Sequence, residues 1–492
     1  RNAADGSSYA TSIVHTPGGP VSALTFGNGL TLSNTFTRRY APGALSSGPL
    51  TLQYGMTAAG DVASLTEDAT TTHAFQYDFV GRLATSPGWL SYGYDNNGNR
   101  SSESLQSASK TYTYNYDRLA RRLGSTGLPE YGYSVDMQGH TNGVAAFNAS
   151  GTQLTGAMCW THDAFGRLTS LGTLAQSAWS PDYFNGTSAW GYGCFSGPST
   201  VTAQFKYDSR NRRIARRTSA GQWAYVISDA GGNPLSEIAK TGDPANPWTK
   251  VRDYVWLDGT PLAQIEYPGP SGVSAGYVYY YHADNLGLPR ALTNQAAQTV
   301  WTASVQPFGN VVETTGPDPL SGRTVVTNLR LPGQYDERLL GSLGLQGPYY
   351  NWNRWYLPSV GRYLELDPIA LGGGFNGSGW HAPDWYNYAE GNPLRWTDPD
   401  GTAPETSRDK AWCVAKVGCK RYVYCGGTKL DLVSCGRGTE CPFCPADLKP
   451  LNQGDWCAYA DTKSSCGGKT AAMFKQQIMG IPTPWFGPFC FS

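Results

Sequence analysis

The sequence contains few charged residues, no net charge and no long apolar segment. Only 15% of its 492 residues are charged, and 37 basic side chains balance 37 acidic ones. A chain without net charge is not drawn as a whole to nucleic acid or to anionic lipid. The sequence also lacks any apolar run near the roughly 18 residues that would indicate a membrane span. We therefore expect neither a nucleic-acid partner nor a membrane span.

Cysteine is nearly absent from most of the chain and concentrated at its end. The first 401 residues contain only Cys159 and Cys194, whereas the last 91 contain nine. Small Cys-dense segments are typical of disulfide-stapled modules in an oxidising compartment. Because nine is odd, one of these thiols is free, bonds to another chain, or pairs with Cys159 or Cys194. The disulfide candidates of this module, residues 402–492, are Cys413, Cys419, Cys425, Cys435, Cys441, Cys444, Cys457, Cys466 and Cys490.

The C-terminal module also contains no histidine, which excludes a His-based nuclease or protease mechanism there. Its one CxxC pair, Cys441 and Cys444, could be redox-active or form half of a zinc site. A second CxxC pair is absent. Disulfides are therefore the favoured use of these cysteines, with metal binding and redox chemistry as the alternatives. For the whole chain we expect no cofactor and no metal ion.

Glycine and tyrosine, by contrast, are abundant, and a short phrase built on them recurs. With 60 Gly and 31 Tyr, the composition favours many short strands joined by tight turns. The clearest copy is Tyr77-Asp78 followed by Gly81-Arg82-Leu83. An Asp at a strand end accepts backbone N–H bonds, and a Gly or Asn three residues later closes the turn in the left-handed conformation. The phrase predicts antiparallel hairpins and an all-β fold. Further copies contain Asp95, Asp117, Asp163 and Asp208, with degenerate ones at Asp136, Asp229, Asp258 and Asp284.

These phrases resemble the YD repeats of the RHS family, which includes the C components of insecticidal toxin complexes, bacterial Rhs proteins and the teneurins. The resemblance covers residues 20–401 and sharpens after residue 275. It implies a spiralling antiparallel strip that forms a hollow shell over residues 1–275, an RHS-associated core domain over residues 276–401, and a variable module over residues 402–492. In its hallmark segment we expect His282 to be a packed turn residue rather than a ligand. The phrases that carry the resemblance are Tyr279 to Arg290, Pro307-Phe308-Gly309, Leu331 to Asp336, Tyr349 to Tyr356, Gly361 to Leu364, Asp367-Pro368-Ile369 and Asp398-Pro399-Asp400-Gly401.

The core domain of many relatives resembles an aspartyl autoprotease that releases the segment after the Asp-Pro-x-Gly motif. Such chemistry needs two close carboxylates, one ionised and one protonated. By motif matching, the resemblance implies Asp367 and Asp398 as catalytic carboxylates and Arg362 as the orienting cation. The scissile bond would lie at Gly401–Thr402.

Two features depart from the family pattern around this motif. Thr402 stands where relatives usually have Leu or Met. Residues 376–385 also form an insertion between the two acidic motifs, which would displace a carboxylate or bring Asp384 into the site. The alternative interpretation is that both Asp-Pro motifs only terminate turns.

Two functions fit the sequence. The first is a secreted or cell-surface bacterial scaffold, whose shell holds or displays a disulfide-stapled module. The alternative is a polymorphic-toxin fragment, whose core domain cleaves itself near Gly401 and releases an effector. The shell region is short for closing a large cavity, so we expect self-association, a second shell-forming chain or a lost N-terminal half of the shell. The sequence begins with Arg1 and shows no signal peptide, so we interpret it as a mature or proteolysed fragment.

Overall fold

The architecture was determined from a computed structural model of the chain. It describes residues 8–17, 19–106, 108–115, 118–136, 138–152, 154–175, 194, 197–218, 221–245, 247–267, 276–368, 385–402, 405–406, 423–425 and 428–430. The chain divides into two compact units, of which the first comprises residues 1–16, 20–374 and 382–407 and the second residues 17–19, 375–381 and 408–492. The nine cysteines of the C-terminal module lie outside the residues whose side chains are described.

The first unit begins with a seven-stranded antiparallel sheet in which each strand pairs with the next in sequence. Its strands are β1 (Ala10–His15), β2 (Val21–Phe26), β3 (Thr31–Phe36), β4 (Pro42–Ser47), β5 (Leu50–Met56), β6 (Val62–Glu67) and β7 (Thr71–Ala74). One face of the sheet is buried. Leu24 and Phe26 of β2, for example, pack with Ile265 and Tyr280, which lie more than two hundred residues later. The strip therefore coils back over its own beginning.

The next twenty strands form a second sheet, whose strand order closes into a ring. They are β8 (Gln76–Tyr77), β9 (Leu83–Ser86), β10 (Leu90–Tyr94), β11 (Arg100–Leu105), β12 (Ala108–Asn115), β13 (Arg118–Leu123), β14 (Pro129–Val135), β15 (Thr141–Phe147), β16 (Leu154–His162), β17 (Leu168–Thr173), β18 (Thr200–Tyr207), β19 (Arg213–Thr218), β20 (Ala224–Ser228), β21 (Pro234–Lys240), β22 (Trp248–Leu257), β23 (Thr260–Glu266), β24 (Tyr277–Ala283), β25 (Pro289–Thr293), β26 (Thr299–Val305) and β27 (Val311–Thr315). This confirms the all-β shell. We expected a second chain because the shell region is short for closing a cavity. The ring closes within one chain, so this reason no longer holds.

The turn chemistry predicted for the repeats is confirmed. At the first copy, Asp78 Oδ1 accepts the backbone N–H groups of Val80 at 3.0 Å and Arg82 at 2.9 Å. Gly81 takes a left-handed φ of 88°, which a glycine adopts without steric penalty. The remaining carboxylate oxygen of Asp78 accepts a hydrogen bond from Arg82 Nε at 2.7 Å. This turn therefore uses both carboxylate oxygens of Asp78.

The tyrosine that precedes the Asp ties its hairpin to the one before. Its hydroxyl donates a hydrogen bond to a backbone carbonyl near the start of the preceding hairpin's strand. The bonds run from Tyr77 to Val62 at 2.7 Å, Tyr94 to Leu83 at 2.8 Å and Tyr207 to Leu168 at 2.6 Å. Tyr114, which lies three residues before Asp117, makes a similar bond to Arg100 at 2.7 Å. A buried phenol needs such a partner, so these bonds fix the stacking of successive hairpins.

A small four-stranded sheet packs against the buried face of the ring. Its strands are β28 (Tyr335–Asp336), β29 (Tyr349–Asn351), β30 (Arg354–Leu357) and β31 (Arg362–Tyr363). Two short strand pairs follow, β32 (Trp396–Thr397) with β33 (Glu405–Thr406) and β34 (Val423–Cys425) with β35 (Thr428–Leu430). Trp355 and Leu357 share one apolar cluster with Tyr112, Tyr133 and Trp160 of the ring. The segment predicted to be the core domain therefore shares a core with the shell, and its separation at residue 276 stays a prediction.

Three further observations bear on the sequence predictions. His282 is packed, as predicted, but it lies within β24 rather than in a turn, so that part of the prediction was wrong. Cys159 of β16 forms a disulfide with Cys194, which leaves neither of them to pair with a cysteine of the C-terminal module. Among the described residues, no helix is long and apolar enough to cross a membrane.

Candidate functional site

Two buried carboxylates meet on a single arginine in the core segment. Arg354 opens β30, Asp398 follows β32, and Asp367 lies four residues beyond β31. Arg354 Nη2 is 3.0 Å from Asp367 Oδ2 and 2.9 Å from Asp398 Oδ2. All three side chains are buried. The structure therefore brings together Asp367 and Asp398, which the sequence predicted as a pair.

The same arginine and aspartate also hold the peptide bond that the sequence predicted as scissile. Arg354 Nε donates a hydrogen bond to the carbonyl oxygen of Gly401 at 2.6 Å. The backbone N–H of Thr402 donates to Asp398 Oδ1 at 2.9 Å and to Asp400 Oδ1 at 3.1 Å. Both polar atoms of the Gly401–Thr402 peptide bond are thus held by charged side chains. A cation on the carbonyl oxygen is placed where it would stabilise an oxyanion.

The electrostatics of the site distinguish Asp398 from an ordinary surface carboxylate. Burial raises the pKa of Asp398, and the nearby charge of Asp400 raises this pKa further. Arg354 and a 2.7 Å hydrogen bond from the Tyr363 hydroxyl act in the opposite direction and favour the ionised form. A carboxyl group with a raised pKa can hold a proton and act as a general acid.

Backbone geometry explains why glycine occupies position 401. Its φ is 71°, in the left-handed region that favours glycine. A Cβ at this position would meet the backbone oxygen of Asn351 and the backbone nitrogen of Arg354. The close approach of the 401–402 peptide to β30 therefore requires the absence of a side chain.

The sequence predicted Arg362 as the orienting cation, but the contacts described for its side chain are with other residues. Its Nη1 donates to Asn99 Oδ1, and its guanidinium lies 4.3 Å from the ring centroid of Tyr386 and 5.1 Å from that of Tyr114. These contacts join the core segment to the ring. The catalytic role assigned to Arg362 stays a prediction, and the contacts expected of it are made by Arg354, which sequence reasoning missed. The signal for Arg354 was its place in the Tyr349 to Tyr356 phrase, where arginine interrupts an aromatic run.

The predicted insertion, residues 376–385, lies outside the described residues except for Trp385. The backbone N–H of Asp367 donates to the Trp385 carbonyl at 3.0 Å, and Arg354 Nη1 donates to the same carbonyl at 3.2 Å. The chain thus returns from the insertion beside the paired carboxylates, which remain together on Arg354. Asp384, the alternative site carboxylate, is among the residues outside the description.

Comparison with known proteins places this chain among toxin-related proteins. The sequence pattern of the family described as "RHS protein" matches residues 278–315. The chain is 31% identical over 219 residues to the double-stranded DNA deaminase toxin A of Burkholderia cenocepacia, covering 41% of this chain and 14% of that protein. It is 37% identical over 133 residues to the putative uncharacterized protein YibJ of Escherichia coli, covering 27% and 48%. It is 26% identical over 225 residues to the toxin protein Tse5 of Pseudomonas aeruginosa, covering 41% and 15%. The chain therefore spans at most about half the length of these three relatives.

The fold is similar to that of solved toxin-complex proteins. A TcdB2-TccC3-Cdc42 crystal structure superposes with a TM-score of 0.52 at 16% identity, covering 82% of this chain and 20% of that one. The Photorhabdus luminescens Tc holotoxin pore superposes with a TM-score of 0.51 at 15% identity, covering 81% and 19%. At these identities the likeness concerns the fold alone, and it extends over both the ring and the core segment.

Proposed function

Because this chain is an RHS-family protein with a closed strand ring, we propose that it is the shell segment of a bacterial toxin-type protein that cuts itself at Gly401–Thr402 and so frees its C-terminal module inside a container. One observation carries the proposal. Arg354 joins Asp367 to Asp398 while its Nε holds the Gly401 carbonyl oxygen. Motifs that only terminate turns would not need a buried cation shared by two carboxylates and a peptide bond.

The contacts assign a role to each group. Ionised Asp367, paired with Arg354, takes a proton from a water molecule, whose oxygen attacks the Gly401 carbonyl carbon. Arg354 stabilises the negative charge that forms on the carbonyl oxygen. Asp398, whose Oδ1 lies 2.9 Å from the Thr402 nitrogen, binds a proton because its pKa is raised and gives this proton to the nitrogen as the peptide bond breaks. The products are a carboxylate at Gly401 and a free amine at Thr402.

Intact mass spectrometry of the purified chain tests the cleavage. We expect two polypeptides, residues 1–401 and 402–492, and a single full-length chain in the Asp367→Asn and Asp398→Asn variants. Asp336→Asn is the matched control, because Asp336 is also a buried aspartate paired with an arginine of the core segment, Arg330. A wild-type chain that stays intact, or a split that persists in both site variants, would contradict the proposal.

The container role is tested by the fate of the cut module. If the ring encloses it, both fragments coelute in size-exclusion chromatography and the 402–492 fragment resists added protease until the shell is denatured. Separation of the fragments under native conditions would refute enclosure. An uncut, disulfide-stapled module displayed on the shell is the second candidate, and the Cys-rich composition of residues 402–492 favours it.

We further propose a secreted or cell-surface location and self-association. The Cys159–Cys194 disulfide and the toxin relatives support the location. Strand β1 pairs only with β2 among the described strands, and its residues are mostly exposed. An open strand edge of this kind is a template for pairing with a second chain. A concentration-dependent mass in analytical ultracentrifugation, absent in an Ile13→Pro variant, would support this assembly, and a monomer at all concentrations would refute it.

A further inference from the structure

Two adjacent hairpins of the ring carry histidine where several other repeats carry arginine or tyrosine. His140 stands four residues after Asp136, the position of Arg82 after Asp78 and of Arg212 after Asp208. His162 directly precedes Asp163, where Tyr77, Tyr94 and Tyr207 precede their own aspartates. His140 directly precedes β15, and His162 is the last residue of β16. Since these strands pair antiparallel, the start of β15 and the end of β16 lie at the same rim.

The repeat geometry directs both imidazoles at one carboxylate oxygen. Asp136 Oδ1 is used by the turn, where it accepts the backbone N–H groups of Gln138 and His140. Asp136 Oδ2 occupies the place that Arg82 Nε and its equivalents bind in other turns. His140 Nδ1 lies 3.2 Å from this oxygen, and His162 Nδ1 lies 3.4 Å from it. His162 thus reaches back to the preceding hairpin, as the tyrosines do.

The two distances to Asp136 Oδ2 match edges of a metal coordination tetrahedron. The ligand atoms of Asp136, His140 and His162 all lie within 4.8 Å of one another. Zinc bonds of about 2.0–2.2 Å to nitrogen and oxygen place neighbouring ligand atoms about 3.3–3.5 Å apart in tetrahedral geometry. His162 Nδ1 is buried and has no hydrogen-bond partner among the described residues. An atom of this kind, aimed at an anionic oxygen and a second imidazole, is explained by a cation between them.

A second carboxylate supports His162 from behind. His162 Nε2 lies 3.3 Å from Glu365 Oε1, and Glu365 Oε2 accepts the backbone N–H of Trp355 at 2.7 Å. A carboxylate on the far nitrogen of a ligating histidine fixes the ring and its tautomer, which is the usual outer contact of a metal-bound imidazole. Glu365 also lies in the core segment, so His162 is held by ring and core at once.

We propose that Asp136, His140 and His162 bind one divalent transition-metal ion of the zinc type. Two imidazole nitrogens and one carboxylate oxygen suit this class of ion, whereas calcium and magnesium prefer oxygen ligands alone. Three protein ligands leave a fourth position for water. The ion cross-links the hairpins at β15 and β16 and, through Glu365, fastens them to the core segment. The three proposed ligands are different residues from the Asp367–Asp398 pair and its Arg354.

The repeats themselves supply the test variants. His140→Arg and His162→Tyr restore the residues that other repeats carry at these positions, so they are expected to keep the fold while removing a ligand. Full-length proteins are dialysed against zinc chloride, and bound zinc is counted by elemental mass spectrometry. We expect each variant to bind one zinc fewer per chain than wild type. The control His15→Gln, which alters an exposed histidine paired with Asp258, is expected to bind as much zinc as wild type.

Cobalt substitution distinguishes this site from the cysteines. Co²⁺ bound by nitrogen and oxygen ligands is expected to give visible absorption bands that disappear in His162→Tyr. Any charge-transfer band from cysteine thiolates is separate, and the variant would retain it. Equal zinc content in wild type and both variants would overturn the proposal. So would a cobalt spectrum of the wild-type protein that contains thiolate bands alone, or no bands, and this result does not depend on whether a variant folds.

Discussion

The Nε atom of Arg354 lies 2.6 Å from the carbonyl oxygen of Gly401 and donates a hydrogen bond to it. The side chain that contacts the carboxyl groups of Asp367 and Asp398 is therefore also bonded to the Gly401–Thr402 peptide. In the proposed cleavage, Arg354 would therefore stabilise the negative charge that forms on this oxygen.

Arg354→Lys is expected to slow cleavage at Gly401–Thr402 by about a hundredfold or more, the usual effect of removing one oxyanion donor. Lysine keeps the positive charge but lacks the planar guanidinium group. Its single ammonium nitrogen cannot contact two carboxylates and a carbonyl oxygen in the same geometry. The measurement is the fraction of intact chain against time by mass spectrometry. Arg330→Lys, the same change at another buried arginine of the core segment, should leave the rate unchanged. Equal rates in wild type and Arg354→Lys would remove Arg354 from the mechanism.

The pH dependence of cleavage is expected to report on Asp398. Its carboxyl must be protonated to donate to Thr402, and its raised pKa extends the active range to higher pH than an ordinary aspartate would allow. The Asp400 charge contributes to this raised pKa, so Asp400→Asn should lower it and move the alkaline fall in rate to lower pH. An unchanged alkaline limb in Asp400→Asn would show that another group controls it.

His282 is expected to make the shell sensitive to acid. Burial lowers its pKa to about 4, while the ring nitrogens hydrogen-bond to Ser47 and Thr293 at 2.9 Å. The unfolded chain therefore takes up this proton first as the pH falls. The stability that neutral His282 contributes is complete above about pH 6.5 and is lost as the pH falls towards 4.

Between pH 7.5 and pH 5 this loss amounts to about 2 kcal/mol of unfolding free energy. Urea unfolding at both pH values measures it. His282→Gln keeps hydrogen-bonding capacity but cannot be protonated, so the difference between the two pH values should shrink by that amount. A variant with the wild-type pH dependence would assign the acid sensitivity to other groups.

Trp355→Ala is expected to lower the unfolding free energy by about 3–5 kcal/mol, the usual effect of removing a buried aromatic side chain. Trp355 is 2% exposed, and its ring centroid lies 4.8 Å from that of Phe205 in the ring. Trp248→Ala is the matched control, because Trp248 is 48% exposed. Denaturant unfolding of both variants gives the comparison. Equal losses would mean that the core segment adds little to the stability of the shell.

The hairpins could be predicted from sequence because their chemistry is local. Asp78, Gly81 and Arg82 lie within five positions of one another, and their turn needs no distant partner. The pairing of Asp367 with Asp398 came from the family resemblance. Arg354 could not be predicted from local pattern, since it lies 44 residues before Asp398.

The histidine cluster escaped prediction for a related reason. The sequence identifies the phrase around Asp136 as a degenerate repeat, and its pattern assigns no role to His140. Only the antiparallel pairing of β15 with β16 brings His162 beside Asp136. Closure of the ring likewise depends on its first and last strands, β8 and β27, which lie far apart in sequence and share no hairpin signal.

The tyrosine hydroxyls have a consequence for how this shell is made. Each one points backwards, from its own hairpin to a carbonyl of the hairpin already formed. As the chain leaves the ribosome, the carbonyl acceptor of the preceding hairpin is already in place. The tyrosine hydroxyl of each new hairpin can therefore form its hydrogen bond as soon as that hairpin folds. Removal of the last hairpin exposes only a carbonyl group, which can hydrogen-bond to water. Removal of the first hairpin leaves a buried tyrosine hydroxyl without its acceptor. Assembly of the wall is therefore directional, and shortening from the C-terminal side should be tolerated better than shortening from the N-terminal side.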